Sequence, residues 1–190
     1  MLKKINFHTH TKRCKHAKGE DKDYIDAAIK NNLDILGFSD HGPYPDNRFN
    51  LRMNFNELEE YKTTLEKLKI KFKNFIQIKI GLEIEYLPSD DFYYNYLKNE
   101  LKFDYLALGQ HLFLTENGEL KNTYSLKSTK EYIEYAKSIC LGIKSGYFDF
   151  VAHPDLIFIN DFPWDENCDK ACNLIIDTAK KYDFILEFNA

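Results

Sequence analysis

The chain has 190 residues and a formal net charge of −4 with histidine neutral. That length suits one domain, residues 1–190, with a real core, and 44% hydrophobic beside 29% charged residues excludes a disordered chain. No basic surplus exists to neutralise nucleic-acid phosphates, no apolar run nears the ~18 residues that span a bilayer, and no apolar signal segment follows Lys3 and Lys4, so the expectation is a cytoplasmic protein without nucleic-acid or membrane partners.

In chain order, "KKINFH" (3–8) reads as a short strand. "EDKDYIDAAIKNN" (20–32) reads as a helix, with acids in its first turn and Tyr24, Ile25, Ala28 and Ile29 on one stripe. "LDILGFSD" (33–40) is a second strand, followed by a loop with Gly42, Pro43 and Pro45. A helix is expected from about Asn54 to Ile70, with Asn54 and Glu57 in capping register. "FIQIKIGLEIEY" (75–86) alternates, with Ile76, Ile78, Ile80, Leu82 and Ile84 facing one way and Gln77, Lys79, Gly81, Glu83 and Glu85 the other. A shorter helix near 90–101 precedes the strand "FDYLALG" (103–109). Ser128 and Glu131 form a capping box for a helix through Lys144, "FDFVAH" (148–153) is a strand, and a helix near 166–181 leads to the strand "DFILEF" (183–188). Six strands alternating with five helices imply an α/β fold with parallel strands and outer helices, as an open sheet or a barrel. No Gly-rich loop opens a helix, which weakens a dinucleotide-binding version.

The six histidines follow this frame. His8 ends strand 1 and His10 lies just beyond it, His16 lies in the next loop, His41 follows strand 2, His111 follows strand 4 and His153 ends strand 5. Loops after parallel strands share one side of such a fold, where active sites form. In "HTH", residues i and i+2 of an extended segment face one way, so two imidazoles can share a divalent metal. Glu83 sits late on the polar face of strand 3, and a carboxylate there can bridge two metals. Imidazole with carboxylate suits Zn, Mn or Fe. Taken singly, "HxH" has an incidental reading, His41 a turn reading, and His111 and His153 a core reading; together they point to a metal centre. Cys14 reads as a ligand or a small buried thiol. Cys168 and Cys172 share a helix face, as a zinc pair or as plain thiols, and Cys14, Cys140, Cys168 and Cys172 show no disulfide framework.

"FHTHTKRCKHAKG", "FSDHGP", "GLEIEY", "LGQHLF" and "VAHPDL" resemble, in order, the motifs of the PHP (polymerase and histidinol phosphatase) family, nearest its histidinol-phosphatase branch. The resemblance implies a distorted (β/α)7 barrel and up to three divalent ions. It implies that His8 and His10 bind a first metal and that Glu83 bridges the first and second. His111 and His153 would complete the second, and His16 and His41 would bind the third. Asp40 would be an outer residue of the site or a simple turn residue. Arg48 and Arg52, in the loop after His41, would reach a phosphate or be solvated surface. The implied reaction is metal-dependent hydrolysis of a phosphate monoester, best L-histidinol phosphate in histidine biosynthesis. No serine or cysteine nucleophile is required. The alternatives are a phosphodiesterase or exonuclease, or a metal-binding chain with little activity.

One departure stands out. Family members supply an Asp-x-His motif from the strand after "LEFN", and the chain contains no Asp-x-His. The expectation is therefore a barrel truncated after strand 6, with two metal ligands missing and "FILEF" left as an uncovered edge. That state fits a fragment, a homo-oligomer in which a partner chain completes the site, or a degraded site.

Overall fold

The computed structural model describes residues 2–188; residues 1, 189 and 190 of the expected domain lie outside this set. The described residues form two compact units, one running to Glu83 with Lys102–Leu106, the other holding Ile84–Leu101 and the chain from Ala107 onward.

In the first unit, β1 (Ile5–Asn6), β2 (Ile35–Phe38) and β3 (Gln77–Ile84, its last residue in the second unit) are the strands. β1 pairs parallel with β2, Ile5 opposite Ile35, and β2 parallel with β3, Phe38 opposite Ile80. Parallel neighbours need crossovers, supplied by α1 (Asp21–Lys30) and α2 (Leu58–Phe72). Glu20 and Asp23 cap α1 reciprocally, and Ile25 and Ala28 are its buried stripe. Asn54 and Glu57 form the expected capping box, on the 3-10 turn that opens α2. Leu58, Tyr61 and Leu65, at helical spacing, are buried, and the Tyr61 hydroxyl donates to Gly81 O at 2.9 Å.

The alternation of β3 holds on its apolar face, where Ile76 through Ile84 are buried. Its other face changes character along the strand. Gln77 is exposed, whereas Glu83 and, just beyond β3, Glu85 have no exposed surface. Alternation alone assigns this face to solvent; the structure instead covers its C-terminal part.

Strand β4 (Tyr105–Leu108) begins in the first unit. There the Tyr105 hydroxyl lies 2.8 Å from both Phe7 O and Phe38 O, so one phenol ties the ends of β1 and β2. The ring fits because Gly81 and Gly37 lack a Cβ: at either position one would sit 2.5 Å from Tyr105.

The second unit opens with α3 (Asp91–Asn95), which continues as one π-helical turn, Tyr96–Glu100, in place of the regular helix expected near 90–101. After β4 comes an unexpected hairpin, β5 (Leu112–Leu114) antiparallel to β6 (Leu120–Asn122). Its turn uses Gly118 at φ 78°, a conformation glycine adopts without steric cost. α4 (Lys130–Ser145) follows. Glu131 accepts from the Ser128 backbone N–H at 3.3 Å, but Thr129 stands at the N-cap, so only half of the expected box forms. β7 (Phe150–Val151), α5 (Glu166–Tyr182) and β8 (Ile185–Leu186) complete the unit, with β4–β7 and β7–β8 parallel. Its core includes Tyr94, Leu97, Leu108, Tyr132, Tyr135 and Ile139.

The strand order is β1-β2-β3-β4-β7-β8, an α/β sheet of six strands in which β3 and β4 pass through both units. β8 ends the order, with Ile185 66% exposed. Among the described residues no helix is long and apolar enough to cross a membrane.

Because Gly81 faces the Tyr105 ring, Gly81→Ala is expected to lower the unfolding free energy by about 1–3 kcal/mol through overpacking. A urea titration reads the shift; an unchanged midpoint would show that the ring has room to move.

Candidate metal centre

In the first unit four imidazoles and one carboxylate converge. His8 Nε2 lies 2.9 Å from His10 Nε2, and these two nitrogens lie 3.2 and 3.0 Å from the same oxygen, Glu83 Oε2. His41 Nδ1 is 3.4 Å from that oxygen. His16 packs its ring 5.2 Å from that of His10 and 5.1 Å from that of His41, centroid to centroid. Glu83 is fully buried, while the His8, His10 and His41 side chains keep 12–17% exposure, so the group opens to solvent on the histidine side.

This packing has an electrostatic consequence. A buried carboxylate is costly unless a positive charge or hydrogen bonds compensate it. Neighbouring donors around a tetrahedral ion with ~2.0–2.1 Å bonds sit roughly 3.3 Å apart, close to the separations here. Nitrogen and carboxylate donors at this spacing fit a divalent cation of the zinc type.

Local structure explains how the histidines are brought together. β1 and β2 are parallel, so their following loops leave on one side; the His41 backbone is bridged to Glu83, and Gly42 N–H donates to Glu83 O at 2.8 Å. The loop carrying His10 and His16 winds through a 3-10 turn, Lys12–Cys14, closed by Lys15 at φ 61°. Asp40 holds that loop from beneath. Its carboxylate, itself fully buried, accepts from Thr11 N–H at 2.7 Å, from Thr11 Oγ1 at 3.0 and 3.1 Å, and from Cys14 Sγ at 3.0 Å. Burial pushes the Asp40 pKa up against these hydrogen bonds, and burial together with the Asp40 charge pushes the Cys14 thiol up. Arg13 clamps the loop from outside, 3.0 Å from Asp21 on α1 and 2.6 Å from Glu60 on α2.

The second unit holds its own pair. His111 and His153 have ring centroids 5.0 Å apart. His111 Nδ1 is 3.3 Å from Glu85 Oε1, a carboxylate with no exposed surface. The neighbouring Gln110 fixes this corner: its side-chain amide bonds both backbone groups of Tyr86, at 3.0 and 3.1 Å, and Ser138 Oγ at 2.8 Å. His153 has φ 32°, a conformation that L side chains rarely adopt, and its N–H donates to Glu187 Oε2 at 3.0 Å.

The structure thus groups His8, His10, His16, His41 and Glu83 in one unit, and His111 with His153 in the other. Asp40 supports the loop rather than merely ending a turn. Arg48 lies over the Tyr44 ring, 4.3 Å to its centroid, and 3.3 Å from Asp46. Arg52 is buried and donates to Gly42 O at 2.9 Å, so it braces the loop after His41 instead of standing as solvated surface. Sequence reasoning passed over Arg13, Glu85, Gln110 and Glu187. Of these only Glu85 carried a signal, its i+2 position from Glu83.

The family model of the PHP domain matches residues 6–190. A relative from Deinococcus radiodurans, named probable histidinol-phosphatase, is 28% identical over 156 residues, which cover 78% of this chain and 59% of that protein. Histidinol-phosphatase of Bacillus subtilis is 25% identical over 153 residues, covering 73% of this chain and 55% of that one. The chain therefore spans less than two thirds of the length of these curated relatives. Among solved structures, histidinol phosphate phosphatase from Lactococcus lactis, complexed with zinc, L-histidinol and phosphate, has a TM-score of 0.77 at 20% identity, with 100% of this chain and 74% of that one covered. At that identity the likeness speaks for the fold.

Arg13→Ala leaves the Asp21 carboxylate, 8% exposed, without its guanidinium, and is expected to cost about 3 kcal/mol of stability. Glu60→Ala removes a partner that is 61% exposed and should cost less than about 1 kcal/mol. Paired denaturant titrations compare the two; equal losses would contradict a clamp anchored on Asp21.

Proposed function

Because this chain belongs to the PHP-domain family, we propose that it hydrolyses a phosphate monoester with bound divalent cations, and that the ester is L-histidinol phosphate, giving L-histidinol and phosphate. The observation that carries this reading is the fully buried Glu83 carboxylate with His8, His10 and His41 nitrogens within 3.4 Å of one oxygen. The relatives named histidinol-phosphatase support the substrate.

In this reading His8, His10, His16, His41 and Glu83 hold divalent cations, and His111 and His153 are further ligands, for up to three ions of zinc, manganese or iron. Such cations supply Lewis acidity, acidifying water so that hydroxide is available near neutral pH and neutralising charge on phosphate and leaving group. The chain's own part is placement. Glu83 contributes a carboxylate among imidazoles, a donor set that suits divalent cations of the zinc type. Asp40 and Arg13 keep the His10–His16 loop from drifting. Glu85 packs its carboxylate beside the His111 ring, Oε1 3.3 Å from Nδ1. Arg48, 32% exposed over Tyr44, presents its guanidinium to the phosphate, whereas Arg52 stays with the Gly42 carbonyl as a brace.

Phosphate release from L-histidinol phosphate, measured on chelated protein and after return of zinc or manganese, tests the proposal. Activity should vanish on chelation and return with metal. Glu83→Gln should lower kcat/KM by more than about 100-fold, beyond the 10–100-fold typical of losing a ligand's supporting partner. Folded, metal-loaded protein that cleaves only phosphodiesters would favour a nuclease-like activity, and folded, metal-loaded protein that turns over no ester would overturn the proposal.

A further inference from the structure

Cys14 sits at the centre of the loop and belongs to none of the roles above. Its side chain is fully buried. Its sulfur meets three polar groups: Asp40 Oδ1 at 3.0 Å, the His41 backbone N–H at 2.9 Å and His10 Nδ1 at 3.2 Å. The thiol has one proton and can satisfy one acceptor. Asp40 Oδ1 is a fixed acceptor, pinned by Thr11 N–H at 2.7 Å. If S–H points to Asp40, sulfur lone pairs remain for His41 N–H and for a proton on His10 Nδ1. If S–H points instead to His10 Nδ1, a sulfur lone pair faces the Asp40 oxygen at 3.0 Å, which is repulsive.

We propose that Cys14 is a positioning residue: accepting a hydrogen bond from His10 Nδ1–H, it locks the His10 tautomer whose Nε2 lone pair can accept from His8 Nε2, 2.9 Å away, and is open to a cation beside Glu83. The order of control runs from Thr11 to Asp40, from Asp40 to the thiol, and from the thiol to the imidazole. A ligating histidine ordinarily donates its second N–H to a carboxylate or carbonyl, which fixes ring and tautomer; here a thiol inserted between imidazole and carboxylate takes that place. The same sulfur accepts from the His41 backbone, so one atom sets the ring of one histidine and the main chain of another.

Sulfur as a direct ligand is the competing assignment, since His10, Cys14, His16 and His41 each offer a donor atom within 4.8 Å of the others. The three contacts already around Sγ argue against it, because a fourth partner would have to displace one of them.

The purpose of the tautomer rests on the metal-binding reading, but the tautomer itself does not. The test is nitrogen-15 NMR of labelled histidines in the full chain, before and after adding zinc alone, with zinc affinity measured by competition. In the native chain His10 should carry its proton on Nδ1 in both states. Cys14→Ala should lose that preference before zinc is added and weaken zinc binding about 10–100-fold. Cys14→Ser, whose hydroxyl can donate to Asp40 and accept from His10, should restore the tautomer and most of the affinity, which a merely space-filling role would not predict. An Nε2–H tautomer of His10 in the native chain overturns the proposal, even if the alanine variant fails to fold. So does a folded Cys14→Ala chain with native tautomer and native zinc affinity. A sulfur-to-metal charge-transfer band in the cobalt-loaded protein overturns it in favour of ligation. Should the native chain show the Nδ1–H tautomer yet bind no zinc, the metal reading falls while the hydrogen-bond assignment stands.

Discussion

A carboxylate with no exposed surface, set against three imidazole nitrogens, is the constraint around which the first unit is arranged. Glu83 gives up hydration that several kcal/mol would ordinarily protect, with the His8, His10 and His41 nitrogens set within 3.4 Å of one of its oxygens. The chain meets this cost at the end of a strand whose opposite face, Ile76 through Ile84, is buried apolar surface. The side that places the isoleucines in the core forces Glu83 to the other side, and covering that side with the His8–His16 loop and the His41 turn encloses the carboxylate. Burial of Glu83 is thus a product of strand geometry rather than of any preference of glutamate for the interior.

The parallel arrangement then decides which residues can meet. β1 and β2 run together and end together, so the residues that leave them share one side. Tyr105 secures that alignment by reaching across to the carbonyls of Phe7 and Phe38, one residue before His8 and three before His41. The space the ring needs exists only because Gly37 and Gly81 bring no side chain into it. A packing feature with no chemistry of its own therefore fixes the spacing of the strand ends on which the chemistry depends.

Strand and helix order, parallel pairing and the histidine-bearing loops were legible from the sequence because each rests on local pattern. Period-two alternation marks β3, and Asn54 with Glu57 marks the entry to α2. What stayed hidden depends on contacts between distant segments. The hairpin of β5 and β6 has strands of three residues, too short for periodicity to register. The π-helical turn after α3 keeps the helical pattern of apolar residues, so composition does not distinguish it. Arg13 looked like one basic residue among several in "TKRCKH"; only folding shows Asp21 and Glu60 on either side of it. Asp40 and Cys14, 26 residues apart, share a hydrogen bond that neither position announces.

On the proposed metal-binding reading, these features would couple the loading of the site to its folding. The His8, His10, His41 and Glu83 donor atoms are crowded where water is scarce, an arrangement that cation binding, on the proposed reading, would stabilise. Whatever binds the native state alone stabilises it by mass action, and a metal held by ligands that are far apart in the unfolded chain does so strongly. The same crowding of Glu83 and imidazoles suits a divalent cation, and on the proposed reading a bound cation would reverse the local sign. On the same reading, bound cations would let a chain of net charge −4 draw an anionic ester to the one region where its own field is overcome.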